Sequence, residues 1–246
     1  MELSIIIPAY NEEKRIGNTL NNYAIFFNKI CKNNYEIIVV LNGCKDNTIT
    51  VVKKYSKKFK SIKYLNFVEP IGKGGAVIEG FKVAKSKLVG FVDADNSTKA
   101  DAYYDLVKNI NGYDCIIASR WMDGSKVSPK QPIIRRIASR SFNLLVRLFF
   151  GINVHDSQCG AKLFKGSKLK QVIKYLGITR WAFDVDLLYQ FKRNNFSIHE
   201  IPTVWSDSLG SSLNVKKASK EMFLAIARLR LIYSPFRFIV KIYDRI

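Results

Sequence analysis

A mostly parallel α/β sheet with helices on both faces is the fold this sequence predicts, and three observations predict it. Short apolar runs alternate with helix-patterned segments over the first half of the chain. The runs are near-continuous in Ile, Val and Leu, as in strands buried on both faces. The turns that follow successive runs are polar or glycine-rich, so they should gather at one edge of the sheet.

The elements follow in order. Residues 3–7 form a fully apolar strand, and 12–30 read as a helix. Residues 36–41 make a second buried strand, followed by a polar turn and a helix over 48–58. Residues 62–67 form a third strand. The turn Gly72-Lys73-Gly74-Gly75 opens a helix that runs to residue 85. Residues 88–92 form a fourth strand, 100–110 a helix and 115–119 a fifth strand. Regularity then breaks. Helices are expected at 133–150, 184–194 and 218–233, with a strand near 197–204.

The fourth strand runs into Phe91-Val92-Asp93-Ala94-Asp95. Alternation along an extended chain would point Asp93 and Asp95 the same way. Two close carboxylates repel unless a positive charge sits between them. A hard divalent cation, Mg or Mn, carrying phosphate oxygens meets that need. The plain alternative is a strand-end turn with two solvated acids.

The other turns are less specific singly. Tyr10, after Pro8 and Ala9, can stack on a base or fill a gap. Asn42 could hydrogen-bond a base or ribose, Gly43 allows a tight turn, and Asp46 or Asn47 can cap the next helix. Lys73 would point at a diphosphate, although the glycine turn lacks the spacing of a Walker loop.

Lys and Arg number 40 against 20 acidic residues, a net +20. Residues 120–147 carry seven basic residues against one acid, and 216–246 carry eight against two. Both segments are rich in aliphatic and aromatic residues, as an interfacial membrane surface would be. No pattern of an RNA- or DNA-binding module supports a nucleic-acid partner. Cys31, Cys44, Cys115 and Cys159 have no metal-ligand spacing and read as reduced thiols. No apolar run reaches the roughly 18 residues of a membrane span. The expected location is therefore cytoplasmic, peripheral on a membrane. Two parts are expected: residues 1–215 as the α/β domain and 216–246 as basic amphipathic helices broken at Pro235.

The motifs taken in order resemble the family 2 inverting glycosyltransferases, and among them the polyprenyl-phosphate glycosyltransferases. The matching stretches are SIIIPAYNEE (4–13), GCKDNT (43–48), GKGGA (72–76), FVDADNST (91–98) and ASR (118–120). Ser139, Arg140 and Asn143 follow, then DSQCGAKLF (156–164) and WAFDVD (181–186). The resemblance spans about residues 3–215 and implies the Rossmann-like GT-A fold. It implies that Pro8, Ala9, Tyr10 and Glu12 line the nucleotide pocket and that Asp93 and Asp95 hold nucleotide and metal. Arg120 would face the sugar-nucleotide or the acceptor phosphate, and Arg136, Ser139 and Arg140 would lie on the acceptor side, near the lipid phosphate. Asp156 and Gln158 would shape the sugar site. Asp184 stands where relatives acting on hydroxyl acceptors place a base; it could instead bind sugar or cap its helix. Relatives commonly carry two aspartates where this chain has Leu41-Asn42. Asn96-Ser97-Thr98 after the acidic pair looks more like the dolichyl-phosphate glucosyltransferase type than the mannosyl type. The implied reaction moves a hexose, glucose or mannose, from a UDP- or GDP-sugar to a polyprenyl phosphate. A saccharide hydroxyl acceptor is the alternative, and a basic nucleic-acid-binding protein is the alternative of another class.

Overall fold

The structure is a computed structural model that describes residues 2–177, 182–206, 215–238 and 240. Its strands are β1 (Leu3–Ala9), β2 (Tyr35–Asn42), β3 (Ile62–Phe67), β4 (Leu88–Phe91), β5 (Cys115–Ser119), β6 (Lys126–Ser128), β7 (Lys162–Lys165), β8 (Ile198–Pro202) and β9 (Val204–Ser206). Its helices are α1 (Ile16–Cys31), α2 (Thr48–Lys58), α3 (Gly72–Val83), α4 (Ala100–Asn109), α5 (Ile133–Phe150), α6 (Gly166–Val172), α7 (Phe183–Arg193) and α8 (Val215–Ile232), with a 3₁₀ turn at Ile173–Tyr175.

Seven strands form one sheet in the order β3-β2-β1-β4-β7-β5-β8, and β6 and β9 form a separate ribbon. β1 pairs in parallel with both β2 and β4. The chain therefore winds outward through β2 and β3, then returns to start β4 on the other side of β1. That reversal opens a crevice at the carboxyl ends of β1 and β4, the usual ligand position in such sheets.

The alternation of β1 explains the two cores. Ile5 and Ile7 face a cluster built with Leu20, Tyr23 and Phe27 of α1 and Tyr103 and Leu106 of α4. Ile6 faces the opposite cluster, with Val77 and Phe81 of α3, Val146 of α5, Leu188 of α7 and Ile226 and Leu229 of α8. Successive side chains of a strand point to opposite faces, so a continuous apolar run is what a sheet covered on both faces requires.

Three features depart from the sequence reading. β7 runs antiparallel between β4 and β5, in the centre of the sheet. The region predicted as one strand near 197–204 is two, β8 in the main sheet and β9 in the ribbon. The first helix begins at Ile16 rather than residue 12, because the Glu12 carbonyl accepts the N–H groups of Arg15 and Ile16 in a preceding turn. α8 packs on the core through Ile226 and Leu229 and also lies against α5. The second tail helix expected after Pro235 falls largely on residue 239 and residues 241–246, outside the described residues.

Candidate active site

The acidic turn sits at the crevice. β4 ends at Phe91, so strand alternation does not orient Asp93 and Asp95; the turn does. The Oδ1 of Asp95 accepts the N–H of Ser97 at 3.0 Å, and Asn96 has a positive φ of 60°. Thr19 of α1 donates to the Ala94 carbonyl at 2.6 Å, and Tyr23 donates to the Thr98 carbonyl at 2.8 Å. Thr98 also bridges to Trp205 of β9. The turn is thus held from both sides.

Lys73, on the first turn of α3, reaches Asp93: its Nζ lies 2.6 Å from Oδ1. The sequence reading had aimed Lys73 at a diphosphate. Burial pulls its pKa down, but Asp93, Asp184 and Asp95 outweigh that and hold it above its ordinary value. The other oxygen of Asp93 presses on Gly160, where an added Cβ would stand 1.9 Å from it. Only glycine permits this approach of the 156–161 loop to the acidic turn.

Arg120 and Asp156, given separate partners in the sequence reading, hold each other. Arg120 Nε is 2.7 Å from Asp156 Oδ2, and Nη2 donates to Oδ1 at 2.9 Å. The Arg120 backbone N–H also donates to Oδ2. Asp156 is fully buried. Burial would lower the guanidinium's pKa, but Asp156 raises it above its ordinary value, with Asp93 contributing. The guanidinium stacks near Trp205 and Trp121, at 5.3 and 5.8 Å to the ring centres. Arg140 of α5 lies 5.3 Å from the same Trp121 ring. One indole therefore joins the crevice arginine to the arginine of α5.

α5 is also tied down by Asn143, whose Oδ1 accepts both the N–H and the hydroxyl of Ser157. Its outward face carries Ile133, Ile137, Leu144 and Leu148, all exposed and spaced by four or seven, while Phe142, Val146 and Phe150 point inward. Arg136 and Ser139 are half-buried and Arg140 is exposed on this helix.

Asp184 lies in the first turn of α7, after the N-cap residue Ala182, so it does not cap the helix. Its Oδ1 is 2.5 Å from Lys162 Nζ. Lys162 is fully buried, donates also to the Cys159 carbonyl at 2.7 Å, and lies 5.1 Å from the Phe91 ring centre. Nothing in the sequence reading pairs Lys162 with Asp184. The only signal was a lysine inside the apolar run Ala161-Lys162-Leu163-Phe164.

Pro8 and Ala9 end β1, and Tyr10 beyond them is half-exposed. Glu12 is gripped by Arg15, with Nε to Oε2 at 2.7 Å and Nη2 to Oε1 at 2.8 Å. Burial, aided by Asp95 and Asp93, still raises its pKa. Asn42 is committed locally: its Oδ1 accepts the Ile71 N–H at 2.7 Å, bracing the turn into α3. Asp46 braces the strand-two turn, accepting the N–H of Thr48 at 3.0 Å and of Glu13 at 3.1 Å. Gln158 is half-buried on the loop between Asp156 and Gly160. A hollow of about 370 Å³ near Gly151, Lys192 and Ile198 opens at the amino end of β8, on the opposite edge of the sheet.

Among the described residues no three His, Cys, Asp or Glu side chains form a metal cluster. Asp93 and Asp95 nevertheless suit a hard cation of the magnesium kind, which takes one or two carboxylates and completes its shell with phosphate oxygens and water. The side-chain amide oxygen of Asn96, Oδ1, is buried beside them without a hydrogen-bond partner.

An α/β sheet with carboxylates and cations around its switch-point crevice is the frame of an enzyme acting on phosphorylated ligands. The profile described as glycosyl transferase family 2 matches residues 4–173, and the chain belongs to that family. It is 34% identical over 244 residues to the dolichyl-phosphate beta-glucosyltransferase of Dictyostelium discoideum, covering 94% of this chain and 74% of that protein. The enzyme of that name from Homo sapiens is 31% identical over 225 residues, covering 86% and 69%. Among solved structures, S. aureus TarS 1–349 in complex with UDP-GlcNAc has a TM-score of 0.62 at 20% identity, covering 96% of this chain and 68% of that one. Glucosyl-3-phosphoglycerate synthase from Mycobacterium tuberculosis, in complex with Mn²⁺, UDP and phosphoglyceric acid, has a TM-score of 0.69 at 14% identity, covering 95% and 80%. These likenesses establish the GT-A fold. No described helix is long and apolar enough to cross a membrane.

Proposed function

We propose that this protein transfers glucose from a nucleoside diphosphate sugar to a dolichyl or related polyprenyl phosphate, with inversion, at a membrane surface. The observation that carries the reading is the continuity from Arg120 through Trp121 to Arg140. It links the crevice at the carboxyl ends of β1 and β4 to a helix whose outer face is apolar and basic. A lipid phosphate needs both: cations for its head and an apolar surface beside its chain. The similarity to dolichyl-phosphate beta-glucosyltransferases supports the same acceptor.

In the reaction a lipid phosphate oxygen attacks the anomeric carbon from the side opposite the diphosphate. The bond from that carbon to the leaving phosphate oxygen breaks, and its electrons leave with the nucleoside diphosphate. Asp93 and Asp95 would hold a divalent cation, which supplies charge neutralisation to the leaving diphosphate. Lys73 and the N–H groups of Arg120 that Asp156 does not take would add positive charge at the same place. Asp156 keeps Arg120 in one orientation with two of its N–H groups, leaving the others for a ligand. The acceptor phosphate is ionised near neutral pH, so no general base is needed. Asp184, paired with Lys162, then acts on Lys73 as a fixed negative charge rather than as a proton acceptor.

Charge reversal tests the acceptor side. Arg136→Glu with Arg140→Glu should raise the KM for a short polyprenyl phosphate by at least about tenfold, the scale of losing one charge-assisted contact. The KM for the donor should not change. An equal loss of donor affinity would place these arginines at the nucleotide instead.

A further inference from the structure

Asp93 is hemmed in on both sides. Oδ2 rests against Gly160, and Oδ1 carries the ammonium of Lys73 at 2.6 Å. A dication coordinated at Oδ1 would have to share that oxygen with Lys73, and two cations on one oxygen repel. Something must move. Asp93 has no room to retreat, because Gly160 stands behind it and the acidic turn is clamped by Thr19, Tyr23 and Trp205. Lys73 can. Its side chain is 43% exposed and ends a flexible four-carbon stem, whereas its backbone is fixed. The fixing point is Gly74, where an added Cβ would lie 2.6 Å from Phe183 of α7.

We infer that Lys73 stands in for the divalent cation on Asp93 in the donor-free enzyme and swings to the donor's diphosphate when cation and nucleotide enter together. The inference rests on the metal-dependent reading of the site given above and adds an order to it. The cation alone meets a competitor on Asp93. The cation brought with a diphosphate does not, because the diphosphate offers Lys73 a new counter-ion at the amino terminus of α3, beside the backbone N–H groups of its first turn. By linkage, the diphosphate must tighten the cation and the cation must tighten the diphosphate by the same factor, and part of that factor belongs to Lys73.

The test measures binding rather than turnover. Free Mn²⁺ is followed by electron paramagnetic resonance as the purified full chain is titrated, alone, with UDP, and with inorganic pyrophosphate, which has no base to recognise. For the unaltered protein, UDP or pyrophosphate should tighten Mn²⁺ by at least about tenfold. In Lys73→Met, which keeps the length of the stem, Mn²⁺ alone should bind about tenfold more tightly than in the unaltered protein, and the gain from pyrophosphate should shrink by a similar factor. Far-UV circular dichroism checks that the variant is folded, and Lys73→Gln repeats the comparison if it is not. Equal Mn²⁺ affinity in the unaltered and variant proteins, with coupling to pyrophosphate intact, overturns the exchange while leaving the metal reading in place. The absence of any coupling between Mn²⁺ and either diphosphate in the unaltered protein also overturns it. If the unaltered protein binds UDP or pyrophosphate but no Mn²⁺, the metal reading falls as well.

Discussion

Removing Asp184 should cost more stability than removing Lys162, and the two losses should not add. Lys162 is fully buried, and its ammonium has two partners, Asp184 Oδ1 at 2.5 Å and the Cys159 carbonyl at 2.7 Å. Asp184→Leu leaves that charge with one neutral acceptor in the middle of the sheet. Breaking a buried pair in this way costs about 3–5 kcal/mol. Asp184 keeps 8% exposure, so Lys162→Met leaves a carboxylate that retains some contact with water. We expect about 2–3 kcal/mol for that variant. With both replaced by apolar residues neither charge is stranded, and the double variant should be more stable than the sum of the singles by at least about 2 kcal/mol. Urea unfolding followed by circular dichroism reads this directly. At a slope of about 3 kcal/mol per M, Asp184→Leu should lower the midpoint by about 1 M or more. Additive single effects, or an Asp184→Leu variant as stable as the unaltered protein, would refute the argument that this pair holds the centre of the site together.

Other expectations follow from the same geometry. Gly160→Ala forces Asp93 Oδ2 away from a Cβ that would stand 1.9 Å from it. Transfer should fall at least about tenfold and the melting temperature should fall with it, because Asp93 Cγ would also stand 2.4 Å from that Cβ and the turn that carries Asp93 is held. Arg120→Lys replaces a bidentate clamp by a point charge and leaves buried Asp156 half-satisfied. A loss of about 2–3 kcal/mol in urea unfolding should accompany the loss of activity. Asp46 titrates below its ordinary value: burial pushes it up, but hydrogen bonds from Thr48 and Glu13 outweigh burial. Its stabilisation is therefore complete above the unfolded carboxylate range near pH 4 and disappears as pH falls through the lower folded value. The stability difference between the protein and Asp46→Asn should be present at pH 7 and shrink towards pH 2. For the outer face of α5, Ile137→Glu with Leu148→Glu should reduce co-sedimentation with anionic liposomes, and undiminished binding would move the attachment surface elsewhere.

Much of the frame was legible because it is written in local periodicity. The bounds of α2, β3, β5 and α5 coincide with the sequence reading, each set by an apolar pattern and a turn residue within a few positions. The acidic pair, the turn at Gly43 and the glycine-rich first turn of α3 were legible as turns at one edge of the sheet because each follows a buried strand or opens a helix. β7 was not. It is four residues long, contains two lysines, and earns its central place only by pairing antiparallel with β4 and β5. The reciprocal hold of Arg120 and Asp156, across 36 positions, leaves no periodic trace either. The same is true of Lys162 and Asp184, and of the Trp121 ring between two arginines. Pairings of this kind are set by strand order, and strand order here depends on an antiparallel insertion that propensity does not foretell.

The most direct measurement is transfer to a lipid phosphate. Purified protein with Mg²⁺ or Mn²⁺, radiolabelled UDP-glucose and GDP-mannose in parallel, and dolichyl phosphate in anionic liposomes should move label from the glucose donor into the organic phase. The product should be an acid-labile β-glucosyl phosphate, and Asp95→Asn should lower its formation by at least about 100-fold. Consumption of donor with all label remaining in water or on a saccharide hydroxyl, or full transfer by Asp95→Asn, would contradict the account.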